Sequence, residues 1–158
     1  MDIRAATSSD ATSLAELRWE FRLEPGGSSE RSHFIEECAA WFERALASAQ
    51  WTAIVAENKG VLLGCMCLQS IEKVPSPEQH TRHWGYLTNA YVSPNYRNKG
   101  VGGQLLKVIV KLALERKLEL IIVWPSVEAV SLYESCGFRI ANKMHQDLGD
   151  FPPMELVL

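Results

Sequence analysis

The sequence predicts an α/β fold of the α+β kind, a mixed and mostly antiparallel sheet of about seven strands flanked by about four helices. Three observations carry this. Residues 51–92 read as successive strands with short connections, which fold as an antiparallel meander. Residues 83–124 read as strand, helix, strand. The last of these, Leu118-Glu119-Leu120-Ile121-Ile122-Val123-Trp124, is almost unbroken in apolar residues, as a central strand covered on both faces is. That unit is therefore βαβ, with its two strands parallel.

In chain order, residues 2–6 make a short strand. Thr7 and Asp10 have the form of a capping box with Asp in place of Glu, and Leu14, Leu17 and Phe21 recur at helical spacing, so a first helix is expected from about residue 8 to about residue 22. Glu24-Pro25-Gly26-Gly27-Ser28-Ser29 breaks it. The second helix carries a broad apolar stripe through Phe34, Ile35, Cys38, Trp41, Phe42, Ala45 and Leu46. Strands follow at 51–57 and 61–71, joined by the turn Asn58-Lys59-Gly60. A polar loop, 72–82, holds Pro75 and Pro77. The strand 83–92 then feeds a helix from about Gly100 to about Arg116. After the apolar strand come a short helix over 127–135, with Gly137 placed as its left-handed cap, and two last strands at about 138–145 and 154–158.

The chain's 158 residues suit a single domain, 1–158, with 47% hydrophobic and 22% charged residues as in ordinary globular proteins. Its net charge of −3, from 16 basic and 19 acidic residues, argues against a nucleic-acid surface. No apolar run has the length of a membrane span, and Met1-Asp2-Ile3-Arg4 does not open like a signal peptide, so a cytoplasmic protein is expected. Cys38, Cys65, Cys67 and Cys136 lack zinc-type spacing. Cys65 and Cys67 fall on one strand face and read as buried thiols, with no metal expected.

The stretch with chemical content is Tyr91-Val92-Ser93-Pro94-Asn95-Tyr96-Arg97-Asn98-Lys99-Gly100-Val101-Gly102-Gly103-Gln104-Leu105-Leu106, the end of a strand, a basic turn and a glycine-rich helix start. A helix's first N–H groups have no intrahelical acceptor and carry the positive end of its dipole, so an anion can lodge there where side chains stand aside. A Walker A loop is excluded because no Gly-Lys-Ser/Thr occurs. A dinucleotide fingerprint starting at Gly100 would need glycine at Leu105. The remaining pattern, Arg-x-x-Gly-x-Gly, resembles motif A of the GNAT superfamily of N-acetyltransferases. The segment from Ser126 to Phe138 resembles the family's motif B, matching at Ala129, Tyr133, Gly137 and Phe138, with Ser126 where many members have Asn.

The resemblance implies the GNAT acyl-CoA N-acyltransferase fold, with the sheet splayed at a bulge between its two central parallel strands, and acetyl-CoA as co-substrate. It implies phosphate contacts from Arg97, Asn98, Lys99, Gly100, Val101, Gly102 and Gly103, and backbone contacts to the pantetheine arm from Ala90, Tyr91 and Val92. It also implies a polar contact from Ser126, and Tyr133 as the general acid for the departing thiolate. An enzyme acetylating a primary amine of a small molecule is the leading reading, as a monomer or homodimer. The alternatives are a protein N-terminal or lysine acetyltransferase and a non-catalytic acyl-CoA sensor. No carboxylate stands on the strand before motif A. The base is left open among a water at Thr88 or Asn89, Glu20, Glu24, His80 and His83. Trp19, Trp41, Trp84 and Trp124 are candidates for an acceptor pocket, and Glu16, Glu20, Glu24 and Glu30 for attraction of a cationic amine.

Overall fold

The computed structural model describes residues 1–23, 30–75, 77, 83–141 and 152–158. Among them are β1 (Asp2–Ala5), α1 (Ala11–Leu23), α2 (Arg31–Ala47), β2 (Trp51–Asn58), β3 (Val61–Glu72), β4 (His83–Val92), α3 (Val101–Glu115), β5 (Leu120–Val123), α4 (Val130–Ser135), β6 (Arg139–Ile140) and β7 (Met154–Val157). The strands form one seven-stranded sheet in the order β1-β2-β3-β4-β5-β7-β6. β4 and β5 pair parallel and every other neighbour pair is antiparallel, as the meander and the βαβ unit predict. The expected strand at 138–145 is Arg139–Ile140 where it is described, and its remainder from residue 142 lies outside the described residues.

Alternation along the strands builds two cores. Ala53, Val55, Cys65, Cys67 and Tyr91 face α1 and α2, packing with Leu14, Leu17 and Phe42. Ile54, Met66, Leu68, Leu87 and Ile121 face the other way, onto Leu105, Leu106 and Ile109 of α3 and Tyr133 of α4. Covered on both sides, β3 is buried without a break from Leu62 to Leu68. Cys65 and Cys67 share one face, as their spacing requires, and all four cysteines are free thiols.

The first helix opens as a single tighter turn over Ser8–Asp10. There Thr7 N–H donates to Asp10 Oδ2 at 2.7 Å, and Asp10 also takes two hydrogen bonds of 2.8 Å from Arg4. Those donors, Arg4 foremost, hold the Asp10 carboxyl down at about 2.

What positions the site is an irregularity in β4. Cys65 pairs with Tyr91 and Cys67 with Thr88, so two steps along β3 match three along β4. Asn89 supplies the extra residue, with φ at +50°. Pairing of β4 with β5 covers only Gly85–Leu87 and stops at the same point. Gly64 makes room for the displaced strand, since a Cβ there would stand 2.6 Å from the Tyr91 carbonyl oxygen.

Candidate active site

Helix α3 begins at Gly100, whose φ of +78° favours glycine, and its first intrahelical bond runs from Gln104 N–H to the Gly100 carbonyl at 3.1 Å. The N–H groups of Val101, Gly102 and Gly103 therefore precede that bond, at the positive end of a 15-residue helix. A Cβ built on Gly100 meets nothing within 4 Å, so the space over the turn is open. Val101 sends its side chain into the core and leaves only its backbone at the turn. Asn98 is also left-handed, at φ +59°, curling the turn around those donors. Lys99 stands at the rim over the Tyr96 ring at 5.6 Å. Arg97 folds back instead. Its Nε donates to the Val92 carbonyl at 2.9 Å and its guanidinium lies 5.4 Å from the Tyr91 ring.

Beyond Leu87 the β5-facing edge of β4 has no strand beside it among the described residues. Its backbone through Ala90, Tyr91 and Val92 borders a gap that β5, ending at Val123 and followed by Pro125, does not fill. Ser126 lies exposed at the start of the turn into α4. Its hydroxyl, after Glu128's own backbone N–H, helps hold the Glu128 carboxyl below its ordinary value.

Helix α4 leans on the start of α3, so that a Cβ at Gly102 would lie 3.2 Å from Leu132 Cδ2. The two sequence motifs thus meet in space. Next along α4, Tyr133 is 2% exposed and packs edge-on against Phe138 at 5.4 Å between centroids. Burial pushes its phenol up to about 12, so the hydroxyl stays protonated through the neutral range. Burial is the whole cause of that shift, with no hydrogen bond to the hydroxyl contributing.

On the opposite face the bulge turns both Thr88 and Asn89 toward α1 and α2, into a cleft of about 430 Å³. Aromatic walls come from Phe34, Trp41, Trp51 and Tyr86, with Arg18 and Glu37 as the charged lining groups. Of the tryptophans singled out in the sequence, Trp41 lines this cleft. Trp19 packs on Phe34 at 5.5 Å, and Trp124 packs edge-on against Tyr86 at 5.5 Å. Arg18, Glu37, Trp51 and Tyr86 are among the cleft residues that the sequence did not single out. Arg18 carried a signal, because Leu14, Arg18 and Phe21 share the inward stripe of α1.

The base candidates separate. Asn89 is committed at both ends, accepting from Arg18 Nη1 at 3.1 Å and donating to the Cys65 and Cys67 sulfurs at 3.6 and 3.7 Å. Thr88 lines the cleft. Glu20 sits over the end of β4, accepting from Tyr91 Oη at 3.4 Å and Ser93 Oγ at 3.3 Å. His83 begins β4, six residues and roughly 20 Å of strand from the bulge. Glu24 and His80 lie outside the described residues, and Glu16 is 3.3 Å from Arg31.

A backbone anion cradle at a helix start, opening beside a gap between parallel strands, suits a ligand with a phosphate group and an extended arm. Residues 12–138 match the acetyltransferase (GNAT) family, and the chain belongs to that family. Its fold is shared by a predicted acetyltransferase from Clostridium acetobutylicum solved with acetyl-CoA, at a TM-score of 0.77 and 23% identity over 92% of this chain and 94% of that one. A ribosomal-protein-alanine N-acetyltransferase from Brucella melitensis superimposes with a TM-score of 0.71 and 24% identity over 100% of both chains. In sequence, a thialysine N-epsilon-acetyltransferase from Sus scrofa is 33% identical over 57 residues, which span about a third (34%) of each protein. No described helix is long and apolar enough to cross a membrane.

Proposed function

We propose that this enzyme acetylates the primary amine of a small molecule by direct attack, with Tyr133 as the acid toward the departing thiolate. The observation that carries the proposal is the aromatic cleft of about 430 Å³ at the β4 bulge, whose size is that of a small-molecule site. It lies across the sheet from Tyr133, so an amine entering from the α1–α2 side and a leaving group held on the α3–α4 side approach the gap from opposite faces. The pig relative, named for acetylating thialysine at its ε-nitrogen, is consistent with a small amine as acceptor.

In this reading the N–H groups of Val101, Gly102 and Gly103 bind the pyrophosphate of acetyl-CoA, with Gly100 leaving space and Asn98 and Lys99 at the rim. Arg97 joins them by swinging off the Val92 carbonyl. The backbone of Ala90, Tyr91 and Val92 holds the pantetheine arm, and Ser126 closes the far side of the gap. Acetyl-CoA supplies an activated thioester. Tyr133 Oη donates to the sulfur as charge grows on it, while Thr88 and Glu20 are the groups placed to relay the proton that the amine loses.

The test is thiol release from acetyl-CoA with purified protein and a panel of small amines, N-terminal peptides and lysine peptides. Turnover is expected with small amines and not with peptides. Turnover confined to peptides would move the function to protein acetylation, and cofactor binding without turnover on any acceptor would make the chain a sensor.

A further inference from the structure

We infer that the acceptor is a free amino acid with an apolar side chain, its carboxylate held by Arg18 and its amine directed at the β4 bulge. This names the acceptor of the acetyl transfer proposed above and rests on it.

Arg18 occupies a core-facing position of α1 and is partly buried. Its guanidinium lies 5.3 Å from the Phe21 ring and donates one hydrogen bond, to Asn89 Oδ1. Among the described residues no carboxylate forms an ion pair with it. Burial, then the nearby Arg22, lowers its pKa, as expected of a desolvated cation without a counter-ion. Keeping such a charge in a cleft wall is unfavourable unless something anionic completes it. A guanidinium offers five N–H donors in a planar fork that matches a carboxylate, and Asn89 engages one of them.

Position fixes the acceptor's shape. Arg18 is hydrogen-bonded to the residue that forms the bulge, where β4 parts from β5, so a carboxylate on Arg18 lies next to the gap. The amine must reach the same gap. Amine and carboxylate are then close neighbours, as on the single carbon of an α-amino acid. The rest of the molecule faces Phe34, Trp41, Trp51 and Tyr86, which suit an apolar or aromatic side chain. Glu37, in the same lining and 3.5 Å from His33 Nε2, sets a negative charge that disfavours acidic side chains.

The experiment compares matched pairs, tryptophan with tryptamine, phenylalanine with phenethylamine and leucine with isoamylamine. Charge-assisted hydrogen bonds of this kind are worth on the order of 10- to 100-fold, so each amino acid should exceed its decarboxylated partner in kcat/KM by about that factor. Arg18→Gln should lower kcat/KM for the amino acids alone, leaving the amines and the KM for acetyl-CoA unchanged. Equal or better use of the decarboxylated amines overturns the inference. So does an Arg18→Gln variant that weakens both members of each pair alike, since Arg18 would then only brace Asn89. If no amine is turned over, the proposed transfer itself has failed. The carboxylate site is then read by titrating protein fluorescence with phenylalanine, phenethylamine, leucine and isoamylamine, Trp41 and Trp51 being reporters in the cleft wall. Preferential binding of the acids that is lost in Arg18→Gln sustains the site, and equal or absent binding ends it.

Discussion

Replacing Tyr133 by phenylalanine is expected to lower kcat by about two to three orders of magnitude while acetyl-CoA binds within about twofold of the wild type. The substitution removes one oxygen. The edge-on contact with Phe138 at 5.4 Å and the buried seat of the ring are kept, so folding and the cofactor surfaces should be little disturbed. What is lost is a donor toward the departing sulfur. The raised phenol pKa, about 12, sharpens that role. An ordinary thiol ionises near 8.5, so complete transfer of the phenol proton to a free thiolate would run uphill by roughly 3 to 4 units, about 5 kcal/mol. Tyr133 therefore acts through a hydrogen bond that strengthens as the sulfur gains charge, rather than by giving up its proton early. Because the raised pKa keeps the hydroxyl neutral up to about 12, the wild-type rate should show no alkaline decline from Tyr133 near pH 10, where an ordinary tyrosine would ionise. Unchanged turnover in Tyr133→Phe would remove this residue from the reaction.

The double variant Gly100→Asp with Gly102→Asp should weaken acetyl-CoA binding by at least about 100-fold, since two carboxylates would stand against the phosphates. Its value as a test is that the fold should survive. A Cβ at Gly100 enters open space, and although its φ of +78° strains any other residue by roughly 1 kcal/mol, aspartate is a good helix N-cap. At Gly102 the near atom is the tip of Leu132, which can turn aside. Thermal unfolding should shift by only a few degrees, about what 1 kcal/mol produces in a domain of this size. Wild-type affinity in this variant would show that the turn does not hold the cofactor.

Much of the fold was legible because it is written in periods. The change from helical spacing to alternation at Trp51, and the unbroken run before Trp124, gave the meander and the parallel pair that the sheet order contains. The glycine turn was legible for a related reason, since Gly100 answers a backbone need that shows in the sequence. Asn89 was harder to read. A bulge is a relation between two strands, and nothing local in Leu87-Thr88-Asn89-Ala90 distinguishes it from regular strand until Cys65 and Cys67 are paired across from it. The cleft was legible only in part, because its walls come from α1, α2, β2, β3 and β4, and a stripe as wide as that of α2 looks like core. In the structure Phe42 is buried and Trp41 is 39% exposed, yet both line the cleft. The acidic residues of the first two helices were weighed for a cationic acceptor, yet the charge most enclosed at the cleft is that of Arg18, one position along from Leu17.

The central claim is that the start of α3 and the stretch of β4 beyond its pairing with β5 bind one molecule of acetyl-CoA together. Backbone amide spectra of the ¹⁵N-labelled protein, recorded during a titration with acetyl-CoA, test it most directly. The resonances of Val101, Gly102 and Gly103 are expected to shift in step with those of Ala90, Tyr91 and Val92, along a single binding curve. Saturable binding that leaves either group unmoved, or shifts confined to the α1–α2 cleft, would contradict it.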